Sequence, residues 1–122
     1  MTLDTGALIA IERRHRFVTA LLDAAERHGR SISIPAGVLA QAWRGGGRQV
    51  RLSPMLASSG TVIVALDEPA ARASGVLCAL TGTADVIDAS VVICAAQRGD
   101  VVVTSAPDDL RRLAPSLRIF AV

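Results

Sequence analysis

Five of the eleven acidic side chains of this 122-residue chain lie in three short stretches, each at the end of an expected strand or the start of an expected helix. Asp4 directly follows the first short apolar run. Asp85 and Asp88 share one face near the start of a helical pattern, where the helix dipole favours negative charge. The third stretch follows a buried run and contains Thr104, Ser105, Asp108 and Asp109.

Carboxylates that converge in one cleft repel one another unless a cation holds them together. Oxygen ligands select hard divalent ions such as Mg²⁺ or Mn²⁺. Such an ion can activate a water or stabilise a phosphoryl oxygen, which suits phosphodiester hydrolysis. For Asp85, Asp108 and Asp109, complementing a helix N-terminus explains their positions equally well. Both interpretations stay open for these three residues.

Short β-branched runs alternate with helical patterns along the chain. The predicted strands are "MTLDT", "SISI" at Ser31 to Ile34, "TVIVAL" at Thr61 to Leu66, "VVVT" at Val101 to Thr104, and "LRIFAV" at the C-terminus. This alternation predicts one domain over residues 1–122, an α/β fold built as a three-layer α/β/α sandwich with a mainly parallel central sheet. Ligands of such sheets bind at the carboxyl ends of the strands, where the acidic stretches lie.

Helical patterns occupy most of the intervening sequence. The predicted helices are "RHRFVTALLDAAERHG", "PAGVLAQAWR", Arg48 to about Ala57, "DEPAARASGVLCALTG", "DVIDASVVICAAQRG" and a last one opening at Pro107. In the first, Phe17, Leu21, Leu22 and Ala25 form the expected buried face, with Gly29 as the C-terminal cap. Ala106 stands where the last helix begins, and it offers no side-chain oxygen to cap that helix.

The basic side chains are all arginine, and the formal net charge is only +2. The lack of lysine excludes a Walker-type phosphate loop and a Schiff-base enzyme, and it disfavours a receiver-like domain with Asp4 as phosphoacceptor. No apolar run approaches the length of a membrane span and no secretory leader is evident, so we expect a soluble cytoplasmic protein. Cys78 and Cys94 lie in apolar helical patterns and are expected to be small core residues.

The segment "WRGGGRQVR" combines an aromatic residue, arginines and glycines. Arg44 and Arg48 could hold the phosphates of an RNA strand while Trp43 stacks on a base. Alternatively, Trp43 is a core or interface anchor and the glycines end the helix.

Four stretches occur in the order and approximate spacing of a known family: "LDTGALIA", "IPAGVLAQAWRGG", "DVIDASVVICAAQRG" and "VVVTSAPDDLRRL". Over nearly its whole length the chain resembles PIN-domain ribonucleases, particularly the VapC-type toxins. The resemblance implies a small PIN-like α/β/α domain that gathers acidic residues around Mg²⁺ or Mn²⁺ and cleaves RNA. It also implies a cognate antitoxin and a homodimer.

The resemblance assigns roles to individual positions. Asp4 matches the first acidic ligand, Asp88 the third, Asp85 an additional carboxylate and Thr104 the hydroxyl residue that orders the site. Two positions depart from the family pattern: Gln41 replaces a glutamate, and Ala106 replaces an aspartate. Ser105 and Asp109 are auxiliary positions, since Asp109 could substitute for the lost carboxylate through a bridging water.

Two hypotheses follow from this reduced acidic set. In the first, the protein is a metal-dependent endoribonuclease whose weakly bound ion is held by Asp4, Asp88 and Asp85. In the second, it is a catalytically impaired PIN-like module that binds RNA or an antitoxin without cleaving.

Overall fold

The computed structural model describes residues 1–122 and contains a single sheet of five strands. The strands are β1 (Thr2–Leu3), β2 (Ile32–Pro35), β3 (Thr61–Val64), β4 (Val102–Thr104) and β5 (Ile119–Ala121). All neighbouring strands pair in parallel, in the order β3-β2-β1-β4-β5. The expected parallel sheet is therefore confirmed, including the very short first strand.

Seven α-helices and one 3₁₀ helix connect the strands. They are α1 (Thr5–Glu12), α2 (Arg16–Arg27), α3 (Ala36–Ala42), the 3₁₀ helix (Gly47–Arg51), α4 (Ser53–Ala57), α5 (Glu68–Thr81), α6 (Val86–Arg98) and α7 (Pro107–Leu113). From β1 to β3 the chain moves towards one edge of the sheet, and from β3 to β5 it moves back across it. Since such crossovers are right-handed, α1 to α4 cover one face and α5 to α7 the other. The three-layer α/β/α architecture is confirmed.

The core lies on both faces of the three central strands. Leu3, Ile34, Val102 and Val103 are buried in the sheet, and helix residues such as Leu8 pack against them. Burial on both faces explains why these strands are continuous apolar runs rather than alternating ones. The edge strand β3 is more open, and Val62 and Ile63 remain exposed.

Two expectations about aromatic residues are wrong. Phe17, expected on the buried face of α2, is 48 % exposed, whereas the next residue, Val18, is fully buried. Leu21, Leu22 and Ala25 do face the core as predicted, so only the first position of the buried face is wrong. Trp43 is 43 % exposed and is not a core anchor, because α3 ends at Ala42 and the chain turns extended at Trp43.

Other local predictions are confirmed. Gly29 adopts the left-handed conformation (φ +61°) just after α2, which a residue with a side chain rarely tolerates. Cys78 and Cys94 are buried and free. No single helix is long and apolar enough to cross a membrane; only α5 and α6 taken together reach that length, and the chain bends by 113° between them.

Candidate active site

Asp4 stands at the corner between β1 and α1. The polypeptide is extended at Asp4 and helical from Thr5, and the Asp4 Oδ1 atom accepts a hydrogen bond of 2.7 Å from the Ala7 backbone N–H. The carboxylate is almost fully buried. Burial raises the pKa of Asp4 above its ordinary value, although hydrogen bonds from the Thr104 hydroxyl and the backbone oppose the rise.

Asp85 and Asp88 stand at the start of α6. Asp85 is the N-cap: its Oδ1 atom accepts hydrogen bonds from the backbone N–H groups of Ile87 (3.1 Å) and Asp88 (3.0 Å). Both bonds use Oδ1, so Oδ2 remains available to face the cleft. The helix-capping interpretation of Asp85 thus accounts for one of its two oxygens.

The pKa of Asp88 responds to the negative charges of three other aspartates. Burial raises the pKa of Asp88 to about 6, and nearby negative charge adds to the rise. The charges that act on it belong, from the strongest to the weakest, to Asp85, Asp4 and Asp109. Carboxylates from β1, α6 and α7 are therefore close enough to repel one another, as expected for the carboxyl ends of adjacent parallel strands.

An open cleft of about 420 Å³ lies in front of α6. Its lining is almost entirely polar and includes Asp85, Asp88, Asp109 and Arg112. Asp109 forms an ion pair of 3.4 Å with Arg112, so its charge is partly compensated. Asp108 points elsewhere: it is exposed, pairs with Arg111 and does not line the cleft.

The corner between β4 and α7 has no side-chain cap. Ala106 is the N-cap residue of α7 and makes no capping hydrogen bond, as its side chain predicts. The backbone N–H of Ala106 instead donates to the Thr104 Oγ1 atom at 2.8 Å. Since the Thr104 hydroxyl also lowers the pKa of Asp4, Thr104 links this corner electrostatically to the buried carboxylate.

Gln41 and Ser105 lie beside the site rather than among the carboxylates. The Gln41 Oε1 atom accepts a hydrogen bond of 2.6 Å from the hydroxyl of Thr5, the residue after Asp4. Ser105 packs against Gly6 in the first turn of α1; a Cβ atom on Gly6 would lie 2.0 Å from the Ser105 Oγ atom. The two residues therefore position α1 and α3 around Asp4.

The predicted pair of RNA-binding arginines is not brought together in one cavity. Arg44 folds back onto its own helix end and donates to the carbonyl oxygens of Ala40 and Trp43. Arg48 instead lines a cavity with Arg13 and Arg51. Sequence reasoning placed Arg44 and Arg48 together because only the short glycine segment separates them.

The donor set fits a weakly held divalent ion better than a tight one. No three histidine, cysteine, aspartate or glutamate side chains lie close enough together to form a complete metal cage. Mg²⁺ does not require such a cage, because it commonly keeps several waters and uses one or two carboxylates. Asp4 and Asp88 are these two, and the unfavourable charge that raises the pKa of Asp88 is what a cation would relieve.

Sequence reasoning missed three features around the site. It did not predict α1, although an aspartate just before the apolar run "ALIAI" is a typical helix start. It missed the role of Thr5 as the partner of Gln41. It also missed Glu12, which is buried at the end of α1 and accepts a 2.7 Å hydrogen bond from Gln49; nothing in the sequence pattern marks that contact.

Fold and site together define a class of protein: a small α/β/α domain with an acidic cleft at the carboxyl edge of a parallel sheet. Solved structures share this fold. One is VapBC2 from Rickettsia felis bound to a DNA fragment from their promoter; the match has a TM-score of 0.74 and 19 % identity and covers 99 % of this chain and 97 % of that one. The fold expected from the resemblance, a PIN-like α/β/α sandwich, is thus confirmed.

Two further matches agree. DNA-bound VapBC from Salmonella typhimurium matches with a TM-score of 0.71 and 22 % identity, over 98 % of this chain and 96 % of that one. FitAcB from Neisseria gonorrhoeae matches with a TM-score of 0.65 and 21 % identity, over 98 % and 95 %. Neither a protein-family model nor a curated protein sequence matches this chain.

Proposed function

We propose that the protein is a metal-dependent endoribonuclease of the VapC toxin type. The observation that carries the proposal is that Asp85, Asp88 and Asp109 line one polar cleft, where the charge of Asp4 also acts on Asp88. The fold shared with VapBC and FitAB proteins supports it.

The roles follow from the geometry. Asp4 and Asp88 would hold Mg²⁺ or Mn²⁺, and Asp85, which lines the same cleft as Asp88, would add its negative charge beside the ion. The ion would supply the Lewis acidity that phosphodiester hydrolysis requires. Thr104 would orient the Asp4 carboxylate, since its hydroxyl favours the charged form of Asp4. Asp109, paired with Arg112 on the same helix, keeps that side of the cleft polar.

The proposal includes partners and location. An antitoxin would restrain such a nuclease, as expected from the fold shared with the VapBC and FitAB complexes. We also propose a homodimer and a cytoplasmic location, where RNA and the antitoxin are found. Size-exclusion chromatography with light scattering of the purified chain tests the dimer directly.

The direct test is chelator-sensitive RNA cleavage. The purified protein is incubated with a pool of structured RNA in Mg²⁺ or Mn²⁺, with and without EDTA, beside an Asp4→Asn/Asp88→Asn double variant. We expect cleavage that EDTA abolishes and that the double variant lacks. Equal cleavage by both proteins would identify a contaminating nuclease, and no cleavage by either would refute the proposal.

A second candidate function is favoured by the reduced ligand set. Gln41 and Ala106 leave the site without two carboxylates, and no group of three ligand side chains is assembled. A PIN-like module that binds RNA or an antitoxin without cleaving would fit these facts. If a Gln41→Glu/Ala106→Asp variant cleaves RNA and the wild type does not, this second function is the correct one.

A further inference from the structure

The arginines of this protein are unevenly neutralised. Of the 13 arginines, three form ion pairs with carboxylates: Arg72, Arg111 and Arg112. Three of the others, Arg13, Arg48 and Arg51, line a single open cavity of about 580 Å³ at the C-terminal end of α1. We refer to these three residues as the arginine cluster. No carboxylate lies within ion-pair distance of any of them.

The cluster is built by a buried polar contact. Glu12, buried beneath it, accepts a hydrogen bond of 2.7 Å from the Gln49 Nε2 atom. Gln49 in turn accepts a hydrogen bond of 2.9 Å from the Gly46 backbone N–H, which ties the glycine segment to α1. The one carboxylate of the cavity is thus engaged by a neutral amide and forms no ion pair, and the three guanidinium charges outnumber its single negative charge.

The 3₁₀ helix sets the spacing of two members. Residues three apart in a 3₁₀ helix eclipse one another, so Arg48 and Arg51 project from the same side. Arg51 also donates a hydrogen bond to the main-chain carbonyl oxygen of Glu12, which brings it against the last turn of α1. Arg13 is the next residue of the chain, so the three guanidinium groups border one cavity.

The surface beside the cluster continues along α1 to the β4–α7 corner. A second cavity, of about 370 Å³, shares Ile9 and Arg13 with the first and extends to Gly6 and Ser105. Ser105 directly follows Thr104, whose hydroxyl lowers the pKa of Asp4 against the effect of burial. Both cavities follow α1, and the nine-residue step from Asp4 to Arg13 corresponds to about 13 Å of helix. This is a distance of a few nucleotides along an RNA strand.

We infer that the arginine cluster binds phosphate groups of an RNA strand that runs along α1 from the β4–α7 corner. The inference rests on the proposed function, and it names the part of the protein that holds the substrate outside the reacting position. Guanidinium groups bind phosphate oxygens in a bidentate manner and stay charged at any physiological pH. An acidic protein segment would also be attracted, but the second cavity extends this surface to Gly6 and Ser105 beside Asp4, which favours the polymer that the proposed site would act on.

The test measures RNA binding without cleavage. Fluorescence anisotropy of an end-labelled single-stranded RNA oligonucleotide is recorded in EDTA over a range of salt concentrations. The variants are Arg13→Gln/Arg48→Gln/Arg51→Gln and a matched control, Arg27→Gln/Arg30→Gln/Arg98→Gln, which removes the same charge from exposed arginines that line neither cavity. Since each phosphate contact on a single strand contributes about 0.7 to the salt slope, the cluster variant should lose about 2 and the control much less.

One further variant separates RNA binding by the cluster from the structural contact of Arg51. Because Arg51 also has a structural contact, an Arg13→Gln/Arg48→Gln variant that leaves it intact should lose roughly two thirds of that change. An equal loss of slope in the control and the cluster variant would overturn the inference. So would retention of RNA binding by a cluster variant that no longer binds polyglutamate, since the cluster would then serve an acidic peptide.

The inference and the proposed function fail in different ways. If the cluster variant loses RNA binding in EDTA but the wild type never cleaves, the nuclease proposal fails and the cluster remains an RNA site. If the wild type cleaves in Mg²⁺ and the cluster variant has an unchanged KM, the nuclease stands and the arginine cluster is not its substrate site.

Discussion

Two strand-to-helix corners lie side by side at one edge of the sheet, because β1 and β4 are paired strands. The β1–α1 corner carries Asp4, whose carboxylate caps the helix and supplies charge to the cleft. The β4–α7 corner carries Ala106, which does neither, and the Thr104 hydroxyl accepts the Ala106 N–H instead. Both corners lead from a parallel strand into a helix, and they differ in the side chain at the N-cap position.

This difference shows that a carboxylate at such a corner performs two separable functions. One oxygen can satisfy a helix N–H while the negative charge acts on the cleft, as Asp4 and Asp85 illustrate. A residue without the carboxylate loses both functions at once. Substitutions that keep one function and remove the other can therefore measure each of them.

The largest effect is expected at Asp4. Asparagine caps a helix about as well as aspartate, whereas alanine does not. Asp4→Asn should therefore keep the cap and somewhat raise the stability of the metal-free protein at neutral pH, because burial disfavours the charged carboxylate. It should lower RNA cleavage by about 100-fold or more, since the loss of several kcal/mol of metal-assisted stabilisation corresponds to such a factor. Asp4→Ala should lose the same activity and be less stable than Asp4→Asn by about 1 kcal/mol.

Urea unfolding in EDTA and cleavage rates in Mg²⁺ check these two effects separately. A fully active Asp4→Asn variant would remove Asp4 from the proposed site. Equal stability of the asparagine and alanine variants would show that the hydrogen bond to Ala7 contributes nothing to α1.

The next effect concerns the contact between the two corners. A Cβ atom on Gly6 would lie 2.0 Å from the Ser105 Oγ atom and 2.9 Å from its Cβ atom, so Gly6→Ala must push the corners apart. We expect a loss of about 1–3 kcal/mol in the free energy of unfolding. Gly75, in the middle of α5 with nothing near its missing Cβ, provides the control: Gly75→Ala should stabilise the protein by up to about 1 kcal/mol.

A second substitution identifies the cause. Ser105→Gly removes both atoms that clash, so Gly6→Ala/Ser105→Gly should recover most of the lost stability in thermal unfolding. If the double variant is no more stable than Gly6→Ala, the destabilisation arises elsewhere and the corners do not contact one another as described.

Most of the sheet and helix pattern could be predicted from the sequence, and the exceptions have physical causes. The helix α1 is short and apolar on nearly every side, so it lacks the periodicity that marked α2 and α6. On α2, Phe17 was assigned to the buried face instead of its neighbour Val18, because helical spacing accommodates either residue until the packing partners are known.

The site was predictable to a similar degree. The positions of Asp4 and Asp88 followed from strand ends and from a family resemblance. The contacts that distinguish Asp109 from Asp108, or Arg48 from Arg44, depend on how helices pack across the chain. No pattern in the sequence contains that information.

A smaller effect is expected in the pH dependence of stability. The pKa of Asp88 is raised from 3.8 to about 6 in the folded protein, so the folded state binds this proton more tightly than the unfolded state. The stability of the metal-free protein should therefore fall as the pH rises from about 4 to about 6. Asp88→Asn should flatten this dependence and stabilise the protein by about 1–2 kcal/mol at pH 7, allowing for solvent screening.

The matched control is Asp108→Asn, because Asp108 is exposed, pairs with Arg111 and does not line the cleft. It should leave the pH dependence unchanged and lower stability slightly. Identical pH profiles for the wild type and Asp88→Asn, measured by urea unfolding in EDTA, would show that Asp88 does not experience the charges of the cleft.

The finest comparison restores the missing side chain at the second corner. Ala106→Asn supplies a cap without charge and should stabilise α7 by about 1 kcal/mol. Ala106→Asp supplies the same cap but adds a negative charge beside carboxylates that already repel one another, so without metal it should be less stable than the asparagine variant. Adding Mg²⁺ should reverse this order, because only the aspartate contributes a further ligand. Thermal unfolding of both variants with and without Mg²⁺ measures the reversal. If the order stays the same at every Mg²⁺ concentration, the β4–α7 corner faces no metal, and its alanine is a missing helix cap and nothing more.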